Sequence, residues 1–314
     1  MQQTFPRLKM SSFCFDDGKD RRNQNWLNRL NENRLDWATF LQKVGDPMAV
    51  SRLMATQNGR TLLHLAVLDN RLDVVQVLKR DVSLKMKRDS YGLSAIELAQ
   101  FLDRKECLRL LQPLSEVAAF PDLPQLGAFE YLPYPIFETR EGLEQVLAQT
   151  AKAKAGDKIS AEKIWMGIYF DKEICKGTHP PISIRLVDEE VGYGVFADKK
   201  IAPCAFVGEY TGIIQERKPK QLKSKRHCLR YSMWEGRKNF CVDAEQKGNF
   251  TRFINHSFEP NLGVQSIYWR GIPRMIFIAL REIREGGQLT FDYGPLFWKE
   301  FSCPPKVLGD NACS

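Results

Sequence analysis

The stretch Gly248-Asn-Phe-Thr-Arg-Phe-Ile-Asn-His-Ser-Phe-Glu-Pro-Asn261 decides how this chain is read. Within it, Arg252-Phe-Ile-Asn-His-Ser257 followed by Pro260-Asn261 is a far more specific signal than any single glycine pattern. Further along the chain stands Gly287-Gln-Leu-Thr-Phe-Asp-Tyr-Gly294. Ahead of it stand Val191-Gly-Tyr-Gly-Val-Phe-Ala197 and Val207-Gly-Glu-Tyr-Thr-Gly212. Around these blocks run short apolar, β-branched segments separated by glycine and proline. They are Ile182–Val187, Gly194–Ala197, Phe206–Tyr210, Phe240–Asp243 and Arg274–Ala279. None has helical periodicity, so this part of the chain reads as short strands.

In this order, from about Ile182 to Trp298, the blocks resemble the SET-domain protein lysine methyltransferases. The resemblance implies several small sheets with a pseudoknot, in which the Asn-His-Ser segment threads under the C-terminal motif. Such threading is an exception to ordinary chain topology. It also implies methyl transfer from S-adenosylmethionine to a lysine that enters from the opposite face through a narrow channel. The reaction is an in-line displacement that needs a neutral amine and correct alignment, so positioning carries much of the rate.

Residue roles follow from the same resemblance. Tyr293 is the motif tyrosine at the reacting centre, and Tyr210 and Phe291 line the lysine channel. The backbone at Val191, Gly192, Tyr193 and Gly194 cradles the methionine part of the cofactor, since glycine permits close approach. Arg252, Asn255, His256 and Tyr231 are expected as further cofactor contacts. Phe297 and Trp298 either stack on the adenine or cap the core. Each residue also has a plain structural reading: His256 as a satisfied histidine, Tyr210 as core, Tyr231 as part of a variable segment.

Two departures from the family matter. Many members continue Asn-His-Ser with a cysteine and end in a zinc-binding C-x-C-x4-C tail. Here Phe258 stands in the first place, and the tail after residue 298 has only Cys303 and Cys313. Four tetrahedral ligands are not available there, so no zinc is expected. The segment from 217 to 230 carries seven basic residues and no acid. It reads either as a solvated loop or as a patch for DNA phosphates or a nucleosome surface.

The first third of the chain is different. Asn58-Gly-Arg-Thr-Leu-Leu-His-Leu-Ala66 and Tyr91-Gly-Leu-Ser-Ala-Ile-Glu-Leu-Ala99 align at an offset of 33 residues. Such self-similarity signals stacked helical repeats, and the pattern resembles the ankyrin repeat. Thr61 and Ser94 are helix caps, Gly59 and Gly92 allow tight turns, and Ala66 and Ala99 allow close packing. Ala95-Ile96-Glu97 stands where the repeat has Pro-Leu-His. Two copies are too few for a stable stack. The amphipathic stretches Trp26–Val44 and Met48–Met54, and Lys105–Leu111 within the second copy, are expected to supply caps. Ankyrin stacks bind proteins and do no chemistry, so this module implies a protein partner.

The expected organisation is therefore multidomain: an α-helical ankyrin-like module over 1–112, with clear repeats over 58–112, then a connector over 113–180. A mostly-β SET domain over 181–298 and a short tail over 299–314 complete it. The connector alternates prolines with aromatics up to Pro135, reads as irregular, and is expected to pack on its neighbours. Helices should follow from Thr139 to Lys154 and from Ser160 to about Gly167.

Composition sets the remaining bounds. The chain has 314 residues, with 43% hydrophobic and 27% charged, ordinary for a soluble protein. No run approaches the roughly 18 apolar residues of a membrane span, and no signal-peptide h-region opens the chain. Its eight cysteines form no C-x-x-C or C-x-C pair, which suits a reduced intracellular protein. The net charge, 46 − 38 = +8, suits acidic partners. The expected substrate is a lysine-bearing protein, with histone tails favoured and the nucleus, otherwise the cytoplasm, as the compartment. The pairing of modules resembles effectors of intracellular bacteria that modify host chromatin, which would place it in a host nucleus. The rivals are a non-catalytic ankyrin and SET binding protein, and a methyltransferase of a non-histone protein.

Overall fold

The structure, a computed structural model, describes residues 17–55, 58–112, 129–216, 226–231, 240–295 and 297–298. The tail after residue 298, and the part of the basic segment over 217–225, lie outside the described residues.

The chain opens with helices α1 (Asp17–Asn31) and α2 (Trp37–Val44) and a short 3-10 turn, Pro47–Val50. Two helix pairs follow: α3 (Leu62–Leu68) with α4 (Leu72–Leu78), and, after α5 (Val82–Met86), α6 (Ala95–Phe101) with α7 (Lys105–Leu111). The 33-residue offset of the sequence is thus an offset between like helix pairs. The two copies start their first helix by the same device built from different residues. In the second, Ser94 Oγ accepts from the Glu97 amide, and Glu97 Oε2 accepts from the Ser94 amide. In the first, His64 Nδ1 accepts from the Thr61 amide at 3.1 Å and from its hydroxyl at 2.7 Å. With Nδ1 accepting, the His64 proton sits on Nε2, which donates to Leu93 O of the next copy at 3.1 Å.

The connector is less irregular than its prolines suggest. Its end forms two strands of two residues each, β1 (Glu130–Tyr131) and β2 (Ile136–Phe137). Strands this short carry no periodicity to read. Helices α8 (Arg140–Ala155), α9 (Ala161–Tyr169) and α10 (Asp171–Lys176) follow, with Thr139 and Ser160 as caps. Helix α9 runs two residues past Gly167, which lies against a later strand: a Cβ there would fall 1.8 Å from Tyr268 O.

The remainder is β-structure. The strands are β3 (Ile182–Asp188), β4 (Gly192–Ala197), β5 (Phe206–Glu209), β6 (Ile213–Glu216), β7 (Cys228–Tyr231) and β8 (Phe240–Asp243). After them come β9 (Lys247–Gly248), β10 (Asn255–His256), β11 (Leu262–Trp269), β12 (Ile272–Ala279) and β13 (Thr290–Phe291). They form small sheets of order β2-β6-β8-β7, β11-β12-β5, β3-β4, β1-β9 and β10-β13. The connector's two strands join the β-region in parallel, β1 on β9 and β2 on β6.

The helical and β parts share one apolar core that runs from Leu27 to Phe291. Ion pairs tie the repeat helices to α8. The Arg60 guanidinium, 1% exposed, bonds Asp89 in the second copy and both carboxylate oxygens of Glu144 on α8. The tip of the β11–β12 hairpin presses into the helical part. Arg270 and Gly271 both take positive φ there, +46° and +78°, as a tight two-residue hairpin turn requires. A Cβ on Gly271 would sit 2.8 Å from Tyr91 O.

Candidate active site

The stretch that leads into β10 is held by the side chain of Asn249. Asn249 Oδ1 accepts from the Thr251 amide and hydroxyl, and Asn249 Nδ2 donates to Glu209 O at 2.9 Å. This turns the chain into a 3-10 turn, Phe250–Phe253, and delivers β10 alongside β13. There Asn255 pairs with Thr290 and His256 with Phe291, in parallel. Asn261 fixes the partner strand from its other end: Nδ2 donates to Gln288 O, and Oδ1 accepts from the Thr290 amide. Strand β4 closes the arrangement through Leu289 N to Val195 O at 2.8 Å.

Beside this crossing lies a cleft of about 390 Å3, counting its open mouth. Of the residues expected to act, Tyr210, Arg252, Phe291, Tyr293 and Phe297 line it. The Tyr293 hydroxyl donates to Ile254 O at 2.9 Å, and the Tyr210 hydroxyl to His227 O at 2.9 Å. Burial raises both phenols well above the ordinary tyrosine range, so both remain O–H donors at neutral pH. Phe291 leans on Tyr293 with ring centroids 4.7 Å apart, and Phe297 meets Tyr293 edge-on at 4.8 Å.

A second group adjoins the first through Tyr293. The Tyr293 amide donates to His256 Nδ1 at 3.2 Å. The His256 proton therefore sits on Nε2, which is buried without a hydrogen-bond partner. Burial lowers the His256 pKa, and exposed Asp292, 3.6 Å from Nδ1, opposes this. Trp298 lies edge-on to His256 at 4.8 Å and parallel to Tyr293 at 6.1 Å; its Nε1 is also buried and unbonded. Asn255 Nδ2 donates to Tyr193 O at 3.1 Å. A Cβ on Gly194 would fall 2.6 Å from Gln288 Nε2 and 3.1 Å from Asn255 Nδ2, so glycine leaves room for both amides. Gly192 takes φ +78°, and the Val191 amide bonds Asp188 Oδ1.

One expected contact stands apart. Tyr231 does not line the cleft. Its hydroxyl donates to Pro273 O at 2.7 Å, and its ring meets Phe137 edge-on at 6.3 Å. From the same strand, Cys228 and Leu229 line the cleft instead, with Arg226 and His227 just before them. These four lie in the 217–230 segment that the sequence marked as a basic patch, but its charge pattern gave no sign that they would line a cleft. Burial, with Arg252 nearby, drops the His227 pKa to about 4 and keeps the ring neutral. Arg252 stacks on Phe129 and Phe253, and its Nε is buried without a hydrogen-bond partner.

Residues 192–294 match the family model for the SET domain. Over that span the chain is similar to a SET domain. Over 123 residues, 36% of its length, it is 36% identical to histone-lysine N-methyltransferase EHMT1 of Homo sapiens, covering 9% of that protein. Over 125 residues, again 36% of the chain, it is 34% identical to histone-lysine N-methyltransferase SUV39H2 of Xenopus tropicalis, covering 31% of it. A putative histone-lysine N-methyltransferase, ASHH4 of Arabidopsis thaliana, is 36% identical over 109 residues, 33% of the chain and 31% of the relative. The chain thus spans under a third of the length of these relatives. Among the described residues no group of three or more His, Cys, Asp or Glu could hold a metal ion. No described helix is long and apolar enough to cross a membrane.

Proposed function

We propose that this chain is a protein-lysine N-methyltransferase that uses S-adenosylmethionine, with histones as the substrate class. The observation that carries the reading is the convergence of Tyr210, Phe291 and Tyr293 on one cleft, beside three buried N–H donors without partners. Those donors, on Arg252, His256 and Trp298, fit a ligand rich in acceptors. S-adenosylmethionine has such a set in its carboxylate, ribose oxygens and adenine nitrogens. The space kept by Gly194 beside the Asn255 amide suits the same ligand.

When bound, S-adenosylmethionine supplies an electrophilic sulfonium methyl. The chain's residues supply alignment and a dry channel. The aromatic wall of Tyr210, Phe291 and Tyr293 holds an ammonium by cation–π attraction and excludes water as the amine is freed of its proton. Both phenols stay protonated, so neither adds a negative charge that would hold the amine in its ammonium form. Asn255, His256 and Arg252 orient the methyl donor, with Val191 to Gly194 as its backbone cradle and Phe297 and Trp298 as its aromatic border. Histone tails, a nuclear site and a nucleosome contact through 217–230 accord with the names of the relatives and the net charge of +8.

The 33-residue helix pairs belong in this proposal as ankyrin-type repeats that meet a protein partner. An origin as a bacterial effector of host chromatin rests on that pairing of modules alone. The decisive experiment is transfer of a radiolabelled methyl group onto core histones, nucleosomes and a cell lysate, side by side. Label on histones supports the proposal. Label only on another protein moves the substrate. No label anywhere, with the methyl donor bound, leaves a binding protein.

A further inference from the structure

The helical module reaches the cleft through a buried ion pair. Glu97 on α6 and Asp171 on α10 both bond Arg270 at the tip of the β11–β12 hairpin. The indole of Trp269, next along, donates to Asp171 Oδ1 at 2.8 Å. Below the tip lies Arg274, 3% exposed, with its guanidinium 4.6 Å from the ring centre of Trp269 and 5.4 Å from that of Phe101 on α6. Its fork is bonded to both carboxylate oxygens of Glu209, 8% exposed.

Glu209 ends β5 immediately before Tyr210, whose amide donates to Met275 O beside Arg274. The Glu209 carbonyl accepts from Asn249 Nδ2, and the Thr251 hydroxyl oxygen lies 3.4 Å from it. Those two residues open the 3-10 turn, and Thr251 itself lines the cleft. The Arg274–Glu209 pair thus links Phe101 of the helical module with the channel tyrosine and the turn at 249–253.

We infer that Arg274 and Glu209 are positioning residues through which the helical module sets the geometry of the acceptor channel. The inference rests on the methyltransferase reading, and it gives the N-terminal module a part in the reaction besides partner binding. A buried ion pair is weak support for stability, since apolar replacements of like volume are often neutral or stabilising. Geometry is a different matter: a misplacement of about 1 Å in a site can cost about 100-fold in rate.

The test pairs Arg274→Met with Glu209→Leu in the full chain, so that no charge is left buried alone. The expected double variant melts close to wild type, and kcat for a histone peptide falls by about 10-fold or more. KM for S-adenosylmethionine should stay within about two-fold, with kcat counted per donor-binding site by titration, because loss of folded protein alone would also lower apparent kcat at constant KM. Amide exchange should rise over 206–212 and 249–256. A second variant, Phe101→Leu, changes only the helical side and should move the same exchange signals and kcat in the same direction. Wild-type kcat and exchange in both variants would overturn the inference. If the double variant does not fold, Phe101→Leu decides alone: its altered exchange with kcat lowered upholds the inference, and no change refutes it. If the wild-type chain transfers no methyl group, the exchange arm still reports the coupling, so the two failures are distinguishable.

Discussion

Tyr293 is the residue on which the proposed chemistry turns. Its hydroxyl is fixed on Ile254 O within the wall of the cleft. Tyr293→Phe should lower methyl transfer by about 10-fold or more, the scale of an oriented group lost from the transition state, with the fold intact. Wild-type turnover in this variant, measured on histone peptide, would remove that role. Gly194 bears on donor binding. Gly194→Ala would push a methyl group toward Gln288 and Asn255, so affinity for S-adenosylmethionine by calorimetry should fall while helix content is unchanged. His64 is far from this chemistry but sensitive to acid. Burial drops its pKa from 6.5 to about 4. Between those values the unfolded chain binds a proton that the folded chain refuses. His64 therefore contributes in full above pH 6.5, and its contribution, about 3 kcal/mol, fades as pH falls to about 4. His64→Gln keeps an acceptor at the helix start and removes the titration. Its stability, followed by denaturant melts from pH 7 to pH 4, should decline less steeply than that of the wild type; equal slopes would exclude His64.

At the scale of elements, the expected β-segments correspond to β3, β4, β5, β8 and β12, because apolar β-branched runs between glycines are a local signal. The caps at Thr139 and Ser160 were legible for the same reason. What escaped was β11, a local hairpin partner of β12, and several long-range pairings. β1 and β2 are two residues each and exist only because β9 and β6 offer an edge. Glu97 departs from the repeat pattern yet caps α6 as His64 caps α3, and also reaches Arg270. Tyr231 was the visible aromatic of its segment, but β7 directs it to Pro273, while Cys228 and Leu229 face the cleft. A motif names residue types, and only the register of the strand says which way they point. The hairpin tip is the element whose shape is most constrained. Gly271→Ala would meet both a positive φ and Tyr91 O at 2.8 Å. It should destabilise the protein by about 2 kcal/mol or more, seen as a lower denaturation midpoint. An unchanged midpoint would mean the tip is not seated against the helical part.

For the whole molecule, the helical and β parts cannot be treated as separate beads. The core runs through both, Arg270 bonds from the β-hairpin to α6, and Arg60 and Arg140 tie the repeat helices to α8. Residues 181–298 expressed alone would uncover Trp269, Arg274 and the hairpin tip. That fragment should be aggregation-prone and bind a hydrophobic dye, whereas the full chain stays monodisperse. A fragment that is soluble, dye-negative and cooperative in melting would contradict this. The parallel pairing of β10 with β13 also fixes an order of events in time. The two partners are separated by the whole β11–β12 hairpin, which is antiparallel, local and quick to zip. Closure of β13 on β10 spans a longer loop and must wait for it. During refolding, hairpin signals should therefore appear before the Tyr293–His256 contact, and the methyl-donor binding that we propose should be the last property the chain acquires.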